Sequence, residues 1–197
     1  MFVVVPRSDR LRVAVEKKIR QAYWKRYSAR LLSLAPTIVA QLSASGNIEC
    51  AAGIRFGHEE FFSECYLSAP IEQILNDRLG GAVSRNHIVE VCHLAGTGGG
   101  HSLPFLRQLI ALLQAMETDC AIFTATRPLR GLLQRSGLSM LELGLAERGR
   151  IANPDCWGDY FEHDPRIMAV DHRSGSTMKD YLPAFMAARC LGDARVF

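Results

Sequence analysis

His87-Ile88-Val89-Glu90-Val91-Cys92-His93-Leu94-Ala95 is an apolar, strand-like run carrying one carboxylate and two histidines. Gly96-Thr97-Gly98-Gly99-Gly100-His101-Ser102 follows it, and Leu103-Pro104-Phe105-Leu106-Arg107-Gln108-Leu109-Ile110-Ala111-Leu112-Leu113 then opens a helix. Beyond that helix lie a second strand, Cys120-Ala121-Ile122-Phe123-Thr124-Ala125-Thr126, and a short helix closing on Arg135-Ser136-Gly137-Leu138. Residues 86–137 thus read strand, glycine loop, helix, strand, helix. A glycine-rich turn between a strand and a helix N-terminus suits an anion, because small residues let the backbone approach and unpaired N–H groups and the helix dipole favour negative charge. This stretch is expected to hold the functional site.

The bulk properties narrow the classes around it. With 197 residues, 48% of them hydrophobic and 22% charged, the chain can bury one sizeable core, and two domains would be cramped. No apolar run approaches the ~20 residues that a membrane helix needs. The start, Met1-Phe2-Val3-Val4-Val5-Pro6, lacks the charged-then-apolar order of a signal peptide. A net charge of +3 is too small to argue for nucleic acid. The six cysteines (50, 65, 92, 120, 156 and 190) are scattered, without Cys-x-x-Cys or zinc-like spacing. Cys50, Cys92 and Cys120 lie in strand-like runs, where cysteine behaves as a small hydrophobe. A cytoplasmic protein without disulfides or a metal site is expected.

Taken in order, residues 8–33 read as a helix. Ser8 or Asp9 can cap it, and Leu11, Val15, Ile19, Tyr23, Tyr27 and Leu31 repeat along one face. The remainder is basic: Arg10, Arg12, Lys17, Lys18, Arg20, Lys25, Arg26 and Arg30, against only Asp9 and Glu16. That surface is either plainly solvated or a dock for an acidic partner, such as an acyl carrier protein or an anionic lipid surface. After Pro36, Thr37–Leu42 and Ile48–Phe56 predict an antiparallel hairpin around Ser43-Ala44-Ser45-Gly46-Asn47. Residues 61–67 are ambiguous, and Pro70 opens a short helix that ends near Gly80-Gly81. Past the central stretch, residues 139–145 suit another strand, Asn153-Pro154 and Trp157-Gly158 a loop, Arg166–Asp171 a last strand, and residues 178–189 a helix. The whole, residues 1–197, reads as a single α/β or α+β domain, with a central mixed sheet and helices on both faces.

Familiar catalytic strings are missing: no Gly-x-Ser-x-Gly, no His-Glu-x-x-His, and no lysine after the glycines to complete a P-loop. His101 stands where a dinucleotide fingerprint needs its third glycine. The central strand, loop, helix and next strand, with Leu133-Gln134-Arg135-Ser136-Gly137-Leu138, do resemble the donor-binding half of the GNAT N-acyltransferases. That resemblance implies a splayed central strand, here Val91, Cys92 and Leu94, offering backbone groups to a pantetheine arm. It also implies that Gly96, Gly98, Gly99, Gly100, His101 and Ser102 hold phosphate. Ala95 stands about where many members carry Arg or Gln, so the single phosphate of a carrier protein is an alternative to the diphosphate of CoA.

A closer likeness covers about residues 10–172. Ala52-Gly53-Ile54-Arg55-Phe56-Gly57, Glu64-Cys65-Tyr66-Leu67, Pro70-Ile71-Glu72, Ile88-Val89-Glu90-Val91, Leu94-Ala95, Phe123-Thr124-Ala125-Thr126, Leu129-Arg130 and Trp157-Gly158-Asp159-Tyr160 recur in that order. Together they resemble the thermostable haemolysin family, a GNAT-like group similar to the acyl-homoserine lactone synthases. The chemistry implied is transfer of an acyl group from a CoA or phosphopantetheine thioester to a small amine or amino-acid-like acceptor, with no covalently bound cofactor.

Residue roles follow. Glu90 is the candidate general base, since a charge in an apolar strand is costly without purpose or partner; the alternative is an ion pair with Arg55 or Arg85. His93 is either a second base or a satisfied side chain. Tyr160 either protonates the leaving thiolate or is a rim aromatic. Thr124, Thr126 and Arg130 could line the donor groove, with Arg130 equally a surface residue. Arg55, Glu64, Glu72 and Trp157 could frame the acceptor, the acidic pair suiting a cationic amine such as an amino acid or S-adenosylmethionine, or being plain surface charge. Met140, Leu141, Leu143 and Leu145 are an acyl pocket or core. A membrane-active cytolysin and a non-catalytic binding module are the competing functions.

Overall fold

The computed structural model describes residues 1–96 and 102–173. Among these residues seven strands form one sheet in the order β1-β2-β3-β4-β5-β7-β6. They are β1 Phe2–Val5, β2 Thr37–Leu42, β3 Ile48–Phe56, β4 Ile88–Gly96, β5 Cys120–Ala125, β6 Leu141–Leu145 and β7 Arg166–Asp171. Every neighbouring pair is antiparallel except β4 and β5, which are parallel. A parallel pair needs a crossover, and α3 (Ser102–Ala115) lies between the two strands in sequence. The other α-helices among the described residues are α1 (Arg12–Tyr27), α2 (Ile71–Leu79) and α4 (Arg127–Arg135).

Strand alternation assigns the helices to faces. Ile38 and Ala40 of β2 meet Val15, Ile19 and Tyr23 of α1, while Ile88 of β4 and Cys120 and Ile122 of β5 meet Ile71 and Leu75 of α2. The intervening residues point the other way. Val39, Ile54, Val89 and Ala121 pack on Phe105, Leu109 and Leu113 of α3, and Val170 packs with Leu106 of α3 and Leu133 of α4. Helices therefore cover both faces of a mixed sheet, as the sequence implies.

Three elements differ from the sequence expectations. The first four apolar residues after Met1 form a strand, paired with β2 from Phe2↔Gln41 to Val5↔Ile38; four residues are too few for a periodicity to register. The basic helix is shorter than residues 8–33. Asp9 Oδ1 accepts a hydrogen bond from Leu11 N near its start, but Ser28 turns left-handed (φ 52°) and its N–H caps Trp24 O. Arg30 N–H then donates to Cys156 O at 2.6 Å. Leu31 still reaches the core, from an irregular segment rather than a helix. Gly158 makes this join possible. It sits at φ 54°, where a Cβ would lie 2.0 Å from Tyr27 O. Lastly, the ambiguous residues 61–67 contain a 3-10 turn, Phe62–Tyr66. The expected helix over residues 178–189 lies outside the described residues. No described helix is long and apolar enough to cross a membrane.

Candidate active site

The β4–β5 ladder is short. It runs from Ile88↔Cys120 to Val91↔Phe123 and stops, although β4 continues to Gly96. The cause lies on the other edge of β4, where Gly53 pairs with Cys92 but Ala51 pairs with Ala95. Two residues, His93 and Leu94, thus face Ala52 alone, which is a β-bulge, and a bulge bends its strand and raises the local twist. His93 carries the distortion at φ 54°. Gly53 accommodates it, since a Cβ there would stand 2.7 Å from Ala35 Cβ and 2.9 Å from Cys92 Sγ. Beyond Val91 the parallel strands part, leaving residues 92–96 without a ladder partner on β5.

Three chambers lie in or beside this gap and share lining residues. An apolar one, with about 780 Å³ of empty space, lies between the parted strands, α3 and α4, and its wall includes Val91, Leu94, Leu106, Ile110, Phe123 and Leu133. A smaller chamber on the α1 face, about 380 Å³, is bounded by Glu90, Cys92, His93, Thr124, Trp157 and Tyr160. A third, about 610 Å³, opens past Phe62, His93 and Trp157 toward Arg30, Arg55 and Asn153. His93 borders all three.

Glu90 is 1% exposed, yet fully partnered. Its Oε1 accepts from Ser63 N (2.8 Å) and Ser63 Oγ (2.5 Å), and its Oε2 accepts from Phe62 N (2.7 Å). Arg55 Nε, on the cross-strand partner, lies 3.7 Å from Oε2. Burial raises the carboxyl pKa against the lowering influence of these donors and of Arg55. Ser63 Oγ is also 3.2 Å from Thr124 Oγ1. With the serine proton committed to an ionised Glu90, Thr124 donates to Ser63, and a three-member relay reaches from the buried carboxylate to the gap.

Tyr160 is 6% exposed and borders the first two chambers. It sits among Tyr23, Tyr27 and Trp157, with ring centroids 5.0 to 6.4 Å away. Burial raises its pKa well above the usual phenol value, so it keeps its proton. His93 goes the other way. Burial first, then Arg55 and Arg20, push it down to about 3, and its buried Nδ1 has no hydrogen-bond partner.

That shift has a consequence for stability. A histidine depressed from 6.5 to about 3 favours the folded state above the unfolded pKa, and the benefit is lost as pH falls through that window. By pH 5 the loss should reach at most about 2 kcal/mol. His93→Asn keeps a residue tolerant of positive φ and should remove this part of the acid sensitivity. Urea unfolding at pH 7 and pH 5 measures it; an equal pH effect in both proteins refutes the assignment. Glu90, raised rather than lowered, contributes with the opposite sign in both proteins and cancels in the comparison.

Of the residues singled out in the sequence, Val91, Cys92, Leu94, Thr124 and Thr126 line the apolar chamber. Trp157 borders the other two, and Arg55 the basic one. Gly96 ends β4 and Ser102 begins α3; Gly98, Gly99, Gly100 and His101 lie outside the described residues. Arg130 stands elsewhere, tying α4 to Ala125 O, Asp164 O and Asp164 Oδ2. Glu64 and Glu72 do not frame an acceptor with Arg55. Both pair with Arg85, at 2.6 and 3.0 Å, beside a separate open groove. Arg85 is thereby excluded as the partner of Glu90. Met140 packs behind the cleft wall, Leu141 and Leu143 belong to the α2-side core, and Leu145 is exposed, so the apolar lining comes from α3 and α4 instead. Ser63 and Phe62 were missed, because their residues carry no periodic signal. Among the described residues no group of three or more His, Cys, Asp or Glu side chains could hold a metal.

A mixed seven-stranded sheet whose central parallel pair splays at a bulge, with a chamber in the splay, is the GNAT-like N-acyltransferase fold. Within that class the chain belongs to the thermostable hemolysin family, whose model matches residues 5–176. Among solved structures it is similar to the AHL synthase LasI (12% identity, 87% of this chain and 89% of that chain, TM-score 0.60). It is also similar to BjaI, a CoA-dependent acyl-homoserine lactone synthase solved with SAM and isopentyl-CoA (11%, 89% and 85%, 0.58). A third is FeeM, an N-acyl amino acid synthase from uncultured soil microbes (12%, 87% and 92%, 0.55). A comparison with curated proteins gives no match.

Proposed function

We propose that the protein is an N-acyltransferase that moves an acyl group from an acyl-carrier-protein or acyl-CoA thioester to a small amine or amino-acid-like acceptor. The observation that carries this reading is the parting of β4 from β5 over an apolar cleft, with the Glu90–Ser63–Thr124 relay on its inner side. An unpaired strand edge accepts an extended chain bearing amides, and a pantetheine arm is such a chain. The leucines of α3 and α4 then suit the acyl tail.

The amine attacks the thioester carbonyl carbon, forming the C–N bond. Glu90 takes the amine proton, through Thr124 and Ser63 or through water. Collapse breaks the C–S bond, and Tyr160 donates its hydroxyl proton to the leaving thiolate. Products are an amide and a free thiol, and solvent returns the proton from Glu90 to Tyr160. His93, held neutral, is a wall between chambers rather than the base. The basic residues exposed on α1 and just beyond it (Lys17, Lys25, Arg26 and Arg30), beside the exposed Trp24, favour an acidic carrier protein as donor. Arg12 is not among them, being buried.

Intact-mass and thiol-release screening of acyl-CoA and acyl-carrier thioesters of graded length, against pooled amines, tests the reading. Amide product with medium or long acyl chains is expected. Consumption of no donor sinks it, and lysis of red cells by the same preparation would then favour the cytolysin.

A further inference from the structure

The relay from Glu90 has two sealed members and one open one. Glu90 and Ser63 are each 1% exposed, whereas Thr124 is half-buried and borders both the apolar chamber and the chamber of Glu90 and Tyr160. Register is the cause. The β4–β5 ladder ends at Phe123, so Thr124 is the first residue of β5 past it, where the strands part. Alternation puts its side chain on the face of Cys120 and Ile122, and there its Oγ1 meets Ser63 Oγ at 3.2 Å. With Ser63 donating to Glu90, Thr124 donates to Ser63 and keeps two lone pairs of its own. A hydroxyl whose proton has a path to a buried carboxylate, beside an acyl-sized chamber, has the parts of an activated nucleophile. Cys92 borders the same two chambers and lacks them. Burial, then the charge of Glu90, raise the pKa of its thiol, and only a thiolate attacks well.

We infer that, when no amine is bound, Thr124 takes the acyl group itself and water then removes it, so that the site is also an acyl-thioester hydrolase. The inference rests on the donor cleft of the acyltransferase reading and adds a second activity to it. Thr124 Oγ1 bonds to the thioester carbonyl carbon while its proton passes to Ser63 and the serine proton to Glu90. The C–S bond breaks, Tyr160 protonates the thiolate, and solvent returns the proton from Glu90 to Tyr160. Water next attacks the ester carbon. The C–Oγ1 bond breaks, and the proton lost by that water ends on Thr124 Oγ1. Thioester and water have then become carboxylic acid and thiol, with every side chain restored. A bound amine closes this route, because it displaces the water and its N–H engages the lone pairs of Thr124.

The test gives the whole protein decanoyl-CoA or a decanoyl carrier protein without any amine, and follows thiol release and intact mass. Expected are an early burst of thiol, the mass of a decanoyl group on the peptide that holds Thr124, its removal by hydroxylamine, and steady release of decanoic acid. Thr124→Ser keeps the hydroxyl and should keep all four. Thr124→Val should lower thiol release by about 100-fold or more, with its melting temperature recorded beside that of wild type to verify the fold. Acid released as fast by the valine variant as by wild type overturns the inference, since water then attacks the thioester directly. An adduct on Cys92 overturns it too. Amide formed with an amine, but no donor consumed without one, overturns it and leaves the acyltransferase reading standing. Hydrolysis that depends on Thr124, with no amide from any amine, supports the inference and defeats that reading. If neither donor is consumed under any condition, both fall.

Discussion

Replacing Glu90 by glutamine should lower the rate of acyl transfer by about two orders of magnitude, within the range for losing a general base. The loss should fall on kcat and kcat/KM alike, because proton removal is needed only in the transition state. Wild-type activity should rise with pH as the carboxyl loses its proton, with the inflection above the ordinary carboxylate range, since burial raises its pKa. The variant should lack that inflection. Stability will also change. Glutamine keeps one acceptor oxygen for Ser63 but turns an N–H₂ toward Phe62 N and Arg55, where Oε2 had accepted. Such a mismatch costs roughly 1–3 kcal/mol, so rates must be compared well below the melting temperature of the variant. Ser63→Ala separates the roles: it breaks the relay to Thr124 while leaving the carboxylate and both backbone donors in place. A folded Glu90→Gln protein with wild-type turnover would leave the residue as an anchor for the Phe62–Tyr66 turn, and nothing more.

The second large effect is expected in stability. Arg12 donates to Val5 O (3.3 Å), Pro36 O (2.7 Å) and Ala35 O (2.6 Å), and its Nε bonds Glu16 Oε1 (2.7 Å). One guanidinium thus joins the end of β1, the segment entering β2, and α1. Arg12→Leu removes all four bonds and strands buried carbonyls, at a cost of about 3–5 kcal/mol by analogy with breaking a buried ion pair. In a chain of this size that is roughly a 10 °C fall in melting temperature. Arg12→Lys should lie between, since an ammonium cannot reproduce the fork. Calorimetry on the three proteins settles it. A leucine variant melting within about 2 °C of wild type would mean that water replaces the lost donors.

The two residues differ in how much of their role the sequence displays. Glu90 stood out because a carboxylate within Ile88-Val89-Glu90-Val91 violates the strand's apolar pattern. Its partners did not, because Ser63 lies 27 positions away on a turn with no repeating pattern. Arg12 was lost among the other cations of its helix. Charge alone does not say which of eight basic side chains in residues 8–33 turns inward; the position of Ala35 and Pro36 does.

By itself the sequence determined most of the element order and the mixed sheet with helices on both faces, and the family resemblance implied a splayed central strand. Those features rest on local signals: periodicity in the strands and helices, glycine and proline at the turns, and a set of short strings in a family's order. Tertiary structure alone decided what the charged residues do. It set Glu64 and Glu72 on Arg85, turned Arg130 to Asp164, and left Arg55 beside Glu90 at the wall of a basic chamber. Ion pairs have no period and little regard for sequence distance. Which carboxylate meets which arginine is fixed by how strands are ordered in the sheet and where a bulge parts them, and no stretch of residues read alone contains that.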